Sequence, residues 1–175
     1  MNTTNETVLK IVNVLFWVVF IGLCIKTGAL LVSVMVSLFV NEVGAADLYM
    51  GLDLSAVLRY DQLQYIAMAS MIIVLSALKA YVAYLVVRFF MIFDLSAPFA
   101  PNIADLFLRI SHVSLGTGIL ALCAEGYAKV LVNRGVEVSV DWGGGEILFF
   151  AGVIYLLSVV FDKGTRLQTE SDLTV

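Results

Sequence analysis

Three charged side chains, Lys26, Lys79 and Glu125, interrupt long apolar runs. A charge inside hydrocarbon is costly, about 3 kcal/mol at the centre of a spanning helix. Each therefore needs a counter-charge, water or a ligand. Counted from the inner surface at about 1.5 Å per residue, they lie at depths of roughly 22, 17 and 28 Å. Long side chains at those depths can meet. Such a set offers a Lys–Glu pair that fixes helix register, a site for an anionic ligand or a proton-coupled path, or charges that reach a headgroup region. The ion pair is the expectation, and the anion or proton site is its functional alternative.

No other grouping points to catalysis. His112 is the only histidine, whereas zinc and haem sites usually draw more than one ligand from the chain. Gly116-Thr117-Gly118 lacks the third glycine of a nucleotide loop, and Gly143 to Gly145 is not followed by Lys and Ser/Thr. No Ser/His/Asp set, His-Glu-x-x-His pair or carboxylate dyad stands out. Neither a catalytic residue, a metal nor a cofactor is expected, and the chain reads as a non-enzyme.

The elements holding these residues follow from composition. Of 175 residues, 61% are hydrophobic and 14% charged, with a mean hydropathy of +1.00. A soluble domain has about 25% charged residues, so this is a polytopic membrane protein. The net charge of −4 and the scattered basic residues carry no nucleic-acid footprint, and direct nucleic-acid binding is excluded from the reading. Cys24 and Cys123 lie in apolar runs and read as small packing residues.

Four spanning helices are expected at about residues 8–40, 63–93, 103–132 and 146–161, forming an all-α up-down bundle in one domain with a polar tail over 162–175. Thr3 and Glu6 have capping-box spacing, while Pro98 and Pro101 break the chain between helices two and three. Small and polar residues mark faces expected to meet protein: Gly22, Lys26, Ala29, Ser33 and Ser37 on helix one; Ser76, Lys79, Ala80 and Ala83 on helix two; Ser111, Ser114, Gly118, Ala121 and Glu125 on helix three. In the first loop, Leu54, Val57 and Leu58 fit a short helix on the membrane surface. Val136, Val138 and Val140 alternate with polar residues as in a short strand, and Trp142 suits the interface.

Basic residues favour both termini inside, with Lys10, Arg88, Arg109, Lys163 and Arg166 on or near the cytoplasmic side against Arg59, Lys129 and Arg134 outside. The Asn-x-Thr sequons at Asn2 and Asn5 would then be cytosolic. The Pro98-Phe99 loop and the acidic tail, with Glu170, Asp172, Leu173 and Val175, would then lie on the cytosolic face. Its terminal Leu173-Thr174-Val175 suits capture of a C-terminal carboxylate.

Pro98-Phe99, Leu108-Arg109-Ile110 and the ending from Lys163-Gly164 through Leu167 to Glu170-Ser171-Asp172-Leu173-Thr174-Val175 resemble a family of small bacterial four-helix membrane proteins catalogued as domain of unknown function 2975. The likeness covers essentially the whole chain; it departs at Gln168-Thr169-Glu170, where family tails carry adjacent acidic residues. It implies four spans in a bacterial inner membrane and no established activity. Many relatives lie beside a small helix-turn-helix regulator, which implies a cytosolic regulatory partner. The functional expectation is a sensor or regulatory subunit signalling through its cytosolic loop and tail. A small homo-oligomeric transporter or channel using Lys26, Lys79 and Glu125 is the alternative.

Overall fold

A computed structural model describes residues 3–93 and 101–172. Its helices are α1 (Thr3–Phe39), α2 (Ser55–Tyr60), α3 (Gln62–Ile92), α4 (Pro101–Asn133) and α5 (Gly144–Asp172), with a 3-10 turn at Glu42–Ala46. Four of them are long and apolar enough to cross a membrane: Thr7–Phe39, Gln62–Ile92, Asn102–Asn133 and Gly144–Leu167. The chain is an all-α four-helix bundle with the composition of a multi-pass membrane protein. An even number of spans returns the two ends to one side, termed here the terminal side. The opposite side, carrying α2 and the α4–α5 connection, is the loop side.

Local chemistry sets the element ends. The Asn41 side chain accepts the Val43 amide at 3.0 Å, and the Asp61 side chain accepts the Leu63 amide at 2.9 Å, satisfying donors that a helix start leaves free. In the short connection before α2, the Asp53 carboxylate accepts the Ser55 amide at 2.7 Å, which holds its pKa below the ordinary value. Gly135, at φ +85°, ends α4 as Val136 donates back to Leu131 and Gly135 to Val132, a closure that a side chain at φ > 0 would strain.

The spans pack in chain order: α1 on α3, α3 on α4, and α4 on α5. Hydroxyls knit the first contact. The Thr27 and Ser76 hydroxyls are 2.9 Å apart, and the buried Ser37 and Tyr65 hydroxyls are 2.5 Å apart. The protein-facing side of α1 is thus Leu23, Thr27, Leu30, Val34 and Ser37, rotated from the expected stripe, whose Gly22 and Lys26 are exposed. Partners on α3 chose this side. The α4 face is the expected one as far as Ala121, then continues through Ala124 and Ala128 while Glu125 turns outward.

Five further expectations give way. Leu54 and Val57 are fully buried in the loop-side core with Leu48, Tyr65 and Met68, so α2 turns its apolar face to protein. Residues 136–140 form no strand, because among the described residues no neighbouring strand is there to bond; buried Val136 and half-buried Val138 and Val140 pack on the same core. Trp142 is buried there too. The fourth helix runs on to Asp172, so most of the expected polar tail is helical. Both cysteines are exposed on the bundle surface instead of packed inside it.

Candidate functional site

Lys79 leaves α3 near its midpoint, yet its ammonium lies beside the α4–α5 connection. Nζ donates to the Trp142 carbonyl at 3.4 Å, a long and weak bond. A Cβ placed on Gly143 would stand 4.0 Å from that nitrogen and 3.7 Å from Glu146 Oε2. The lysine and the glutamate therefore flank one glycine at the start of α5. Gly143 also has φ +62°, and its amide donates to the Asp141 carboxylate at 3.1 Å. The tight turn of Asp141 to Gly144 sets two carboxylates around the ammonium without closing an ion pair. Asp141 and Glu146 attract Lys79 and Lys26 repels it.

Lys79, Asp141 and Trp142 border a cavity of about 330 Å³. Its walls come from α1 (Leu23, Lys26), α3 (Ile72, Leu75, Ser76, Lys79), the segment from Tyr49 to Leu52, and the segment from Ser139 to Trp142. Met50 (φ +49°) and Gly51 (φ +88°) turn the first loop back over the site, and the Asp47 side chain accepts the Gly51 amide at 2.9 Å. Lys26 Nζ stands 6.0 Å from the centroid of the Tyr49 ring, at the outer range of cation–π attraction. Among the described residues, no carboxylate lies within the 4.0 Å of an ion pair from either lysine.

Lys26 and Lys79 therefore come together, and Glu125 does not join them. It pairs with Lys129, four residues on, at 2.8 Å on the outside of α4. The acidic neighbours of Lys79 are Asp141 and Glu146, which sequence reasoning treated only as parts of an exposed segment and a helix start. The available signal was charge balance: two carboxylates bracket three glycines at the end of a span whose neighbour holds an uncompensated lysine.

The other candidates lie elsewhere. Arg109 is exposed on the terminal side and borders a cavity of about 280 Å³ with Arg88, Asn102 and Asp105. Glu170 and Asp172 fall in the last turn of α5, while Pro98, Phe99, Leu173 and Val175 lie outside the described residues. His112 is exposed on α4. Among the described residues no three His, Cys, Asp or Glu side chains are grouped as a metal site would need.

Two ammonium groups and one carboxylate, Asp141, line the cavity, with Glu146 just beyond the lining. Such a site can hold an oxyanion by charge and hydrogen bonding. Comparison of the chain with family models, with curated proteins and with solved structures finds no match.

Proposed function

We propose that this chain is a non-enzymatic sensor or regulatory subunit of a bacterial inner membrane, reading its loop-side cavity and signalling from its terminal side. The observation carrying this reading is the course of α5. It begins at Gly144, next to the Gly143 turn that Lys79 and Glu146 flank, and runs unbroken to Asp172 on the opposite side. At 1.5 Å per residue those 29 residues make a rod of about 43 Å. A change in the charge around Lys79 thus acts on one end of a rigid element whose other end carries Glu170 and Asp172. The family likeness in the tail and around Pro98-Phe99 agrees with a cytosolic partner at that end.

Transport is the competing reading. From Ile147 to Phe161 α5 carries no charged residue, and the Lys26–Lys79 pair has no counterpart deeper on that helix. Two measurements separate the readings. Truncation before Glu170 is expected to abolish cross-linking of the chain to its cytosolic partner in native membranes, while reconstituted vesicles show no ion flux. Flux that disappears on Lys79→Met, with partner capture indifferent to the truncation, would favour transport.

A further inference from the structure

We propose that the Lys26–Lys79 cavity binds a phosphate-type oxyanion presented by the headgroup of a loop-side lipid. The assignment rests on the reading of this cavity as the sensing end and names its ligand class. Two like charges sharing one cavity repel, and neither has a carboxylate at ion-pair distance among the described residues. A bound anion converts that repulsion into two attractions. The donors suit phosphate: a lysine acts as a compact point charge with three rotatable N–H groups, whereas a planar carboxylate is better met by the fork of an arginine. Ser139 and Tyr49 line the same cavity and add hydroxyl donors.

The height of the site favours a lipid as the carrier. Glu146 and Asp162 bracket the uncharged run of α5 and are sixteen positions apart, about 24 Å along a helix. With side chains reaching outward at both ends, that run matches a hydrocarbon layer of about 30 Å. Because Lys79 Nζ and Glu146 Oε2 flank the same glycine, the ammonium stands at the loop-side edge of this layer, where lipid phosphates lie. The neighbouring wall is open to acyl chains. The outward face of α1 is apolar on either side of Lys26, with Ile25 61% and Val32 64% exposed. Leu23 continues an apolar lining into the cavity itself.

The test uses the purified full chain in detergent, with Trp142 fluorescence as the readout in a Trp17→Phe background. Dihexanoyl phosphatidylglycerol, dihexanoyl phosphatidylcholine and inorganic phosphate are titrated separately. Saturable binding of the phosphatidylglycerol is expected, weakened at least tenfold by Lys26→Gln and by Lys79→Gln, and within threefold of the parent in Lys79→Arg. Lys129→Gln, on the outside of α4, should leave it unchanged. Inorganic phosphate binding as tightly and depending on the same lysines keeps the oxyanion site but overturns the lipid as its carrier. Equal binding of both lipids that depends on the lysines shows that the shared phosphodiester is what the site recognises, and binding indifferent to both lysine variants overturns the site. If Lys79→Gln fails to fold, Lys26→Gln and Lys79→Arg still decide. Lysine-dependent lipid binding without any effect on partner capture would remove the sensor reading and leave the ligand assignment standing.

Discussion

A buried hydroxyl between membrane helices is stable only while its proton has an acceptor, and Ser37 with Tyr65 shows how the direction of one bond can be deduced. Ser37 Oγ donates to the Val34 carbonyl at 2.8 Å, so its single proton is committed and the Tyr65 hydroxyl must donate to Ser37. The two deletions are therefore unequal. Tyr65→Phe removes a donor and leaves Ser37 bonded, costing about 1 kcal/mol; Ser37→Ala strands a buried phenol and should cost about 1–3 kcal/mol. Reversible unfolding in mixed micelles measures both, and a larger loss for Tyr65→Phe would reverse the assigned direction. Sequence legibility at this scale depends on whether a partner is local. Lys26 and Lys79 were visible because a charge in an apolar run is conspicuous. Glu125 was misassigned because the outlying carboxylate was matched across helices although Lys129 stands four residues away, a spacing that brings side chains together on one helix. Asp141 and Glu146 could be linked to Lys79 only once the α4–α5 connection had been seen to fold against α3.

At the scale of elements, α4 and α5 approach through their glycines. A Cβ on Gly118 would stand 2.7 Å from Leu148 Cδ2 and 3.2 Å from the Leu148 backbone nitrogen; one on Gly144 would meet Leu122 Cδ2 at 2.9 Å and its nitrogen at 3.2 Å. The leucine side chains can turn aside but the backbones cannot, so Gly118→Ala must push the helices apart. A loss of about 1–3 kcal/mol is expected from such overpacking. Gly116→Ala, with nothing within 4 Å of its Cβ, is the control and should be close to neutral. Equal effects of the two substitutions in a thermal unfolding assay would show that helix propensity, not the close approach, governs the result. The existence of the four spans was legible because hydropathy alone reports a bilayer-length apolar helix. The end of α5 was not, since Lys163 to Asp172 is polar and contains Gly164, and a polar segment continues a helix for reasons hydropathy does not register. One of them is the Asp162–Arg166 pair, 3.1 Å apart on successive turns. The alternating valines at 136–140 misled for the complementary reason: period two says which residues share a side, and a strand also needs a neighbour to bond.

Over the whole molecule, chain-order packing leaves α1 at one edge and α5 at the other, so both present long apolar faces outward. Phe149 and Leu156 on α5 are 77% and 66% exposed, and both lie within the uncharged run between Glu146 and Asp162. Lipid must cover them if that run is the span. Lys129 and Arg134, by contrast, are exposed on the loop side, and Arg166 is exposed beyond Asp162 on the terminal side. These placements fix an expected labelling pattern for single cysteines in sealed vesicles, in a Cys24→Ser, Cys123→Ser background. A membrane-impermeant maleimide should modify Lys129→Cys and Arg134→Cys from one side and Arg166→Cys only from the other, while Phe149→Cys and Leu156→Cys stay protected until detergent is added. Placement of Arg166→Cys in the cytosol of intact cells would assign the terminal side to the cytoplasm, as the distribution of basic residues leads one to expect. Reaction of Leu156→Cys in sealed vesicles would mean that water reaches mid-span, opening the route that transport requires. Protection of Leu156→Cys together with modification at Lys129 and Arg166 from opposite sides would place the Lys79 ammonium at a membrane surface, since Glu146 and the cavity share that level.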